Sequence, residues 1–182
     1  MLTEQVLSIA STLGENLVQV SSHAGARDSH AAWHGRVYML DGGTRERPNF
    51  YLACRVGDMV NGYGGYNCRH TMAIYREGEK PLWDPDPTSG TGYTNDEVYA
   101  LKQRQRAHES SIRKLKRVKQ VLDSQGLDSR QVDVEINAHR AALRRLVGEN
   151  GRVLARDSWR EQVAATPQSD SAPGRSSMPT ST

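Results

Sequence analysis

Four of the six histidines, His23, His30, His34 and His70, and both cysteines, Cys54 and Cys68, fall between Ser21 and Ile74. Imidazole and thiolate are the side chains that hold zinc, and they also make nucleophile–base pairs. Cys68 and His70 are two residues apart, and alternate residues of an extended strand share a face, so the two groups can converge on one ion. His23 and His30 are the candidates to complete a tetrahedral Cys-His₃ zinc site. They are seven residues apart in an irregular stretch, without the paired Cys-x2-Cys knuckle, so the same residues also fit a set of hydrogen-bonded structural histidines. His34, beside Gly35, reads as exposed.

Two catalytic arrangements use the same side chains. A cysteine among histidines can be a nucleophile with its base. Asn67 and His70 with an upstream histidine are loosely similar to compact metal nucleases of the His-Asn-His kind. Neither has its context, because no paired acid follows the histidines and no helix clearly carries a second ligand. Asp84 and Asp86 lie in a proline-rich turn, where solvation fits better than acid–base work. The expectation is a protein without catalytic residues.

The elements that must position these groups are short. Thr3 to Leu13 carries an apolar stripe of helical period, and Leu17–Val20 reads as a strand delivering the chain to His23. Further strands are expected over Arg36–Leu40, Tyr51–Val56 and Thr71–Tyr75, with a glycine-rich loop from Val60 to Tyr66. Residues 81–93 read as a proline-rich linker that packs locally through Trp83 and Tyr93. From Thr94, a capping-box signature opens a helix with Val98, Leu101, Ile112, Leu115 and Leu122 on one stripe. After Gly126, Val132, Ile136, Leu143 and Leu146 repeat the pattern, which makes an antiparallel αα-hairpin. Gln105, His108 and His139 interrupt that seam, so the hairpin is expected to need a third surface.

The division is therefore a lead-in over 1–20, a His/Cys-containing β-rich module over 21–80, the linker over 81–93, a helical region over 94–163 and a disordered tail over 164–182. The class is α+β: a small β-rich module with a metal staple as its candidate cross-link, then the long hairpin. At 182 residues and 36% hydrophobic content the core must be small. Two cysteines and no signal-like apolar run point to a reducing compartment and away from a disulfide scaffold, although a lone Cys54–Cys68 bridge stays open. No stretch has the length of a transmembrane helix, and no membrane partner is expected. The net charge of +3 is uneven, with Lys102, Arg104, Arg106, Arg113, Lys114, Lys116, Arg117 and Lys119 on the first long helix against Glu109 alone. Arg113, Lys114, Lys116 and Arg117 are the candidates to contact phosphate or an acidic partner. Without aromatic interleaving the run also fits a solvated face or one docked on acidic protein.

The chain resembles the phage minor capsid protein 2 family, within the wider group of Mu-type minor head, or head-morphogenesis, proteins. The resemblance rests on Ser21-Ser22-His23-Ala24-Gly25-Ala26-Arg27, on Ser29-His30-Ala31-Ala32-Trp33 and on Gly35-Arg36-Val37-Tyr38. It is renewed at Tyr66-Asn67-Cys68-Arg69-His70, and in the helix at Gln105-Arg106 with Ile112-Arg113-Lys114-Leu115-Lys116. The wider group is similar in carrying a Cys-x2-Cys, a Gly-Lys-Val-Phe-like strand and His-Pro-Asn-Cys-Arg-Cys. Laid over that pattern, His30 takes the second cysteine position, Cys68 the penultimate and His70 the last. The overlay implies a swapped ligand set for one zinc ion. Arg27 departs from the pattern at the first cysteine, Tyr66 replaces a tryptophan, and the cysteine usual before that block is absent. The family also resembles longer chains with a helical first half, which implies a truncated copy or prophage remnant. The resemblance implies a structural protein made in the bacterial cytoplasm, acting beside the portal during head assembly and retained in the virion. Portal and capsid proteins are its expected partners, with packaged DNA as a further candidate through the basic helix. The alternatives are a zinc-stabilised nucleic-acid-binding protein and a metal-dependent nuclease.

Overall fold

The computed structural model describes residues 2–163, and the expected disordered tail over 164–182 lies outside the described residues. Helix α1 (Leu2–Leu13) leads into β1 (Leu17–Val20), and a one-turn helix α2 (Asp28–Ala31) precedes β2 (Val37–Met39). A second single turn, α3 (Phe50–Ala53), and a glycine-rich loop lead to β3 (Met72–Ile74). Two long helices follow, α4 (Asn95–Ser124) and α5 (Arg130–Glu149), and then a 3₁₀ turn over Ser158–Glu161. This is the α+β architecture the residue pattern implies.

The three strands form one antiparallel sheet in the order β2-β1-β3, with Val18 opposite both Tyr38 and Ile74. The lead-in therefore supplies the central strand. Val18 and Val20 project to one face and join Trp33, Tyr38, Phe50, Cys54, Tyr63 and Met72 in a buried cluster, with Val6 and Leu7 of α1 packed against it. Gln19 projects from the opposite face and is as buried as its neighbours.

Tyr51–Val56, expected as a strand, is the α3 turn and its continuation. The aromatic and β-branched composition favours a strand, but Asn49 overrides it as N-cap, its side chain accepting from Leu52 N–H at 3.2 Å. One ring edge of the cluster then comes from a helical turn, with Phe50 packed edge-on against Tyr38 and Tyr63.

Residues 81–93 are held down. Gln19 Nε2 donates to the Gly35 and Trp83 carbonyls at 2.9 and 2.7 Å, and its Oε1 accepts from Leu82 and Trp83 N–H. Gly35, at φ +71°, lets the linker lie directly on it; a Cβ there would fall 2.6 Å from the Asp84 carbonyl oxygen.

Helix α4 opens with the expected capping box between Thr94 and Glu97. Ile112, Ile136 and Leu143 form the seam core, flanked by Leu115, Val132 and Val147. The polar interruptions of the seam are partnered. His108 Nδ1 faces His139 Nδ1 at 3.1 Å, and Gln105 donates to Glu109 and to the Ala155 carbonyl, both at 2.9 Å. Much of the third surface comes from the chain itself. Leu154 is buried, and Glu161, 3% exposed, takes a two-point ion pair from Arg156. Module and hairpin are joined where Asn95 exchanges two hydrogen bonds with the Ala26 backbone.

Candidate metal centre

Three segments bring the ligand-type side chains together. Helix α2 buries His30, the stretch before β3 carries Cys68 and His70, and the loop after β1 carries His23. Cys68 and His70 lie on an irregular approach to the strand rather than in it, after Asn67 at φ +57°. Cys68 is placed by its N–H bond to the Gly65 carbonyl, and the turn around Gly65 is closed by Tyr66 N–H on Met59. Arg27 braces the same loop, donating to the Val60 and Tyr66 carbonyls at 2.7 and 2.5 Å. This is what the arginine does at the position where the resemblance would put a cysteine.

The potential ligand atoms of His30, Cys68 and His70 all lie within 4.8 Å of one another. His30 Nδ1 faces His70 Nδ1 at 3.3 Å, and Cys68 Sγ lies 3.8 Å from the same His70 nitrogen. Tetrahedral zinc with ordinary bond lengths needs nitrogens about 3.3 Å apart and a sulfur about 3.5 Å from each nitrogen. The nitrogen–nitrogen separation matches that set, and the sulfur stands about 0.3 Å farther from His70 than a bound ion would hold it. A hydrogen-bond reading fits as well, with one proton between the two imidazoles and Cys68 Sγ within sulfur hydrogen-bond reach of His70 at 3.8 Å. The buried Nε2 atoms of both rings lack partners among the described residues in either arrangement and do not discriminate between them.

Protonation also suits a metal. Burial, with the charge of Arg27 and neighbouring histidines added, lowers His30 to about 4. Burial and the crowding of His23 and His30 lower His70 to about 3. Both imidazoles are neutral near pH 7, the form that ligates.

His23 stands outside the group of three. Its ring is stacked on His70 with centroids 4.5 Å apart and planes 26° from parallel. His34, expected to be exposed, is 2% exposed. The linker folds over Gly35 beside it, with a Cβ at Gly35 falling 2.6 Å from the Asp84 carbonyl oxygen, and burial lowers the His34 pKa. Trp33 packs on both His30 and His70, with centroids 4.6 and 4.8 Å away. The aromatic wall is the component that residue spacing could not display. The two cysteines are free thiols. Cys54 lies in the apolar cluster, where burial pushes its thiol up to about 12. Such a group is a poor nucleophile.

The four cations singled out on α4 separate into two kinds. Arg113 donates to the Arg160 carbonyl and Lys116 to the Glu161 carbonyl, so both help to hold the 3₁₀ turn. Lys114 and Arg117 are exposed.

Comparison with known proteins gives one finding. The family model described as phage minor capsid protein 2 matches residues 6–148. That span includes the whole module and both long helices, almost to the end of α5. No curated protein and no solved structure matches the chain.

Proposed function

The chain belongs to the phage minor capsid protein 2 family, and from that premise we propose that it acts beside the portal during head assembly and stays in the virion. A phage structural role follows from the family itself. The finer reading, made in the host cytoplasm and docked on portal and capsid proteins without turning over a substrate, rests on the family match from 6 to 148 as its main support. Two features agree with it. No helix among the described residues is long and apolar enough to cross a membrane. Tyr51, Leu52, Val56, Met59, Val60 and Tyr66 are exposed within a single stretch, apolar area of the kind that subunit contacts use.

We further propose that His30, Cys68 and His70 hold a zinc ion, with His23 at hand for a fourth position. The ion would be structural. It would tie α2 to the approach of β3 in a module whose strands are only three or four residues long. The residues' own contribution is orientation. Trp33 fixes the two imidazole planes and Arg27 fixes the loop that presents Cys68.

Mass spectrometry of purified virions tests the assembly reading. Peptides of this chain should be found in intact heads and in portal-containing subassemblies. A chain abundant in the lysate and absent from heads would contradict the reading. Nuclease and hydrolase assays should give no turnover that depends on Cys68 or the histidines. A metal-dependent nicking activity abolished by His70→Ala, and kept by a surface variant, would overturn the non-enzymatic reading.

A further inference from the structure

A groove runs between the module and the hairpin, and its cations come from three separate parts of the chain. Three adjoining cavities meet there, and Arg69 and Arg106 line all three. Lys102, Arg113 and Arg160 line the groove on either side of them, and Trp159 stands at one end. Two carboxylates are near, and both are engaged. Glu109 is buried and bonded to Gln105, and Asp157 lies 3.5 Å from Arg160. Lys102 donates to the Ala24 carbonyl, a neutral partner. Among the described residues, neither Arg69 nor Arg106 has an ion-pair partner. Burial first, and then like charges, hold Lys102 and Arg106 below their ordinary range: Arg106, Arg69 and Arg160 act on Lys102, and Arg69 and Arg160 act on Arg106.

Fixed cations brought together against their mutual repulsion form an anion site. The close approach that builds the groove is itself specified. Gly25, at φ +68°, lets its loop touch α4, where a Cβ would meet Val98 Cγ1 at 2.9 Å. The end of the groove narrows the choice of anion. Trp159 is 67% exposed, and the Arg160 guanidinium lies over its ring at 5.7 Å. An acidic peptide would use the cations and leave the indole idle. Phosphates joined to flat bases would use both, and a base can reach the indole only when it is unpaired. We infer that this groove binds an unpaired nucleic-acid strand, with phosphates on Arg69 and Arg106 and a base stacked on Trp159. The site is distinct from the exposed basic face of α4, and it does not depend on the virion reading.

The test uses the full chain and a labelled single-stranded oligonucleotide, followed by fluorescence anisotropy across a salt series. Affinity should fall steeply with salt, and Arg106→Glu should weaken binding about tenfold or more while lowering the salt slope by about 0.7 or more. Trp159→Ala should weaken it about fivefold or more. Arg106→Gln covers the case in which charge reversal disturbs α4, and circular dichroism of each variant checks the fold. The double reversal of Lys114 and Arg117 to Glu, outside the groove, should cost much less than Arg106→Glu. An equal loss there would reduce the effect to net charge and overturn the inference. So would absence of binding, tight duplex binding indifferent to Trp159→Ala, or equal competition by polyglutamate, which would assign the groove to an acidic protein segment. None of these outcomes bears on whether the chain is found in heads.

Discussion

Gln19 is the side chain on which the linker depends. Its carboxamide donates twice and accepts twice, all to backbone, from the buried face of the central strand. Gln19→Leu keeps the volume and strands those backbone groups, so a loss of about 2–4 kcal/mol is expected in chemical denaturation. Gln19→Glu should do no better, because it loses the donors. The module histidines set a pH dependence. His23, His30, His34 and His70 are all lowered, chiefly by burial, His30 to about 4 and His70 to about 3. In the unfolded chain they titrate near 6.5. Between those values the unfolded chain binds more protons, so stability is full above about pH 6.5 and is lost as pH falls through 6.5 toward 4. Melting temperatures of chelator-treated protein should be level from pH 8 to 7 and decline from 6.5 to 5. A rise on acidification would contradict the burial of neutral imidazoles. Cys54, pushed up to about 12, should escape alkylation in the folded protein at neutral pH and react after unfolding.

At the scale of elements, the hairpin depends on what lies over it. Residues 150–163 cover the polar middle of its seam through Ala155, Leu154 and Glu161. Residues 94–150 alone should be only partly helical by circular dichroism, and extension to 163 should raise the helicity. Equal helicity in both fragments would remove the role of that segment. Glu161→Gln should cost about 1–3 kcal/mol, since Arg156 keeps partial solvent access but loses its two-point partner. The long helices were legible because their apolar residues recur at helical period over many turns and Thr94 with Glu97 marks the start. The single turn at Phe50–Ala53 was not, since four residues are too few for a period and only the Asn49 cap gives it away. His30 was set apart from His23 only by the family overlay, whereas Cys68 and His70 were legible as a pair from their types and spacing. The burial of His34 and the role of Gln19 were not, because both arise from the linker folding back over Gly35, a contact between segments distant in the chain. The groove was hidden for the same reason: Arg69, Arg106 and Arg160 become neighbours only in the fold.

Over the whole molecule, a small sheet module and a long hairpin meet through Gly25, Ala26, Asn95 and Val98. Gly25→Val should drive the two apart, by steric contact with α4 and by strain at φ +68°, and should raise protease sensitivity near residues 24–28. The module side of that joint is short-stranded, and the claim at the centre of the account is that a metal secures it at His30, Cys68 and His70. The most direct measurement is metal content of the purified full chain by elemental analysis, paired with thermal unfolding, for the native sequence and for Cys68→Ser. The account predicts close to one equivalent of zinc per chain, lost in Cys68→Ser. At a thousandfold excess of free zinc over its dissociation constant, binding contributes about 4 kcal/mol, so the variant should melt roughly 8–16 °C lower. Native protein without metal, melting at the same temperature as Cys68→Ser and unaffected by chelator, would contradict the claim and leave His30 and His70 as hydrogen-bonded core histidines.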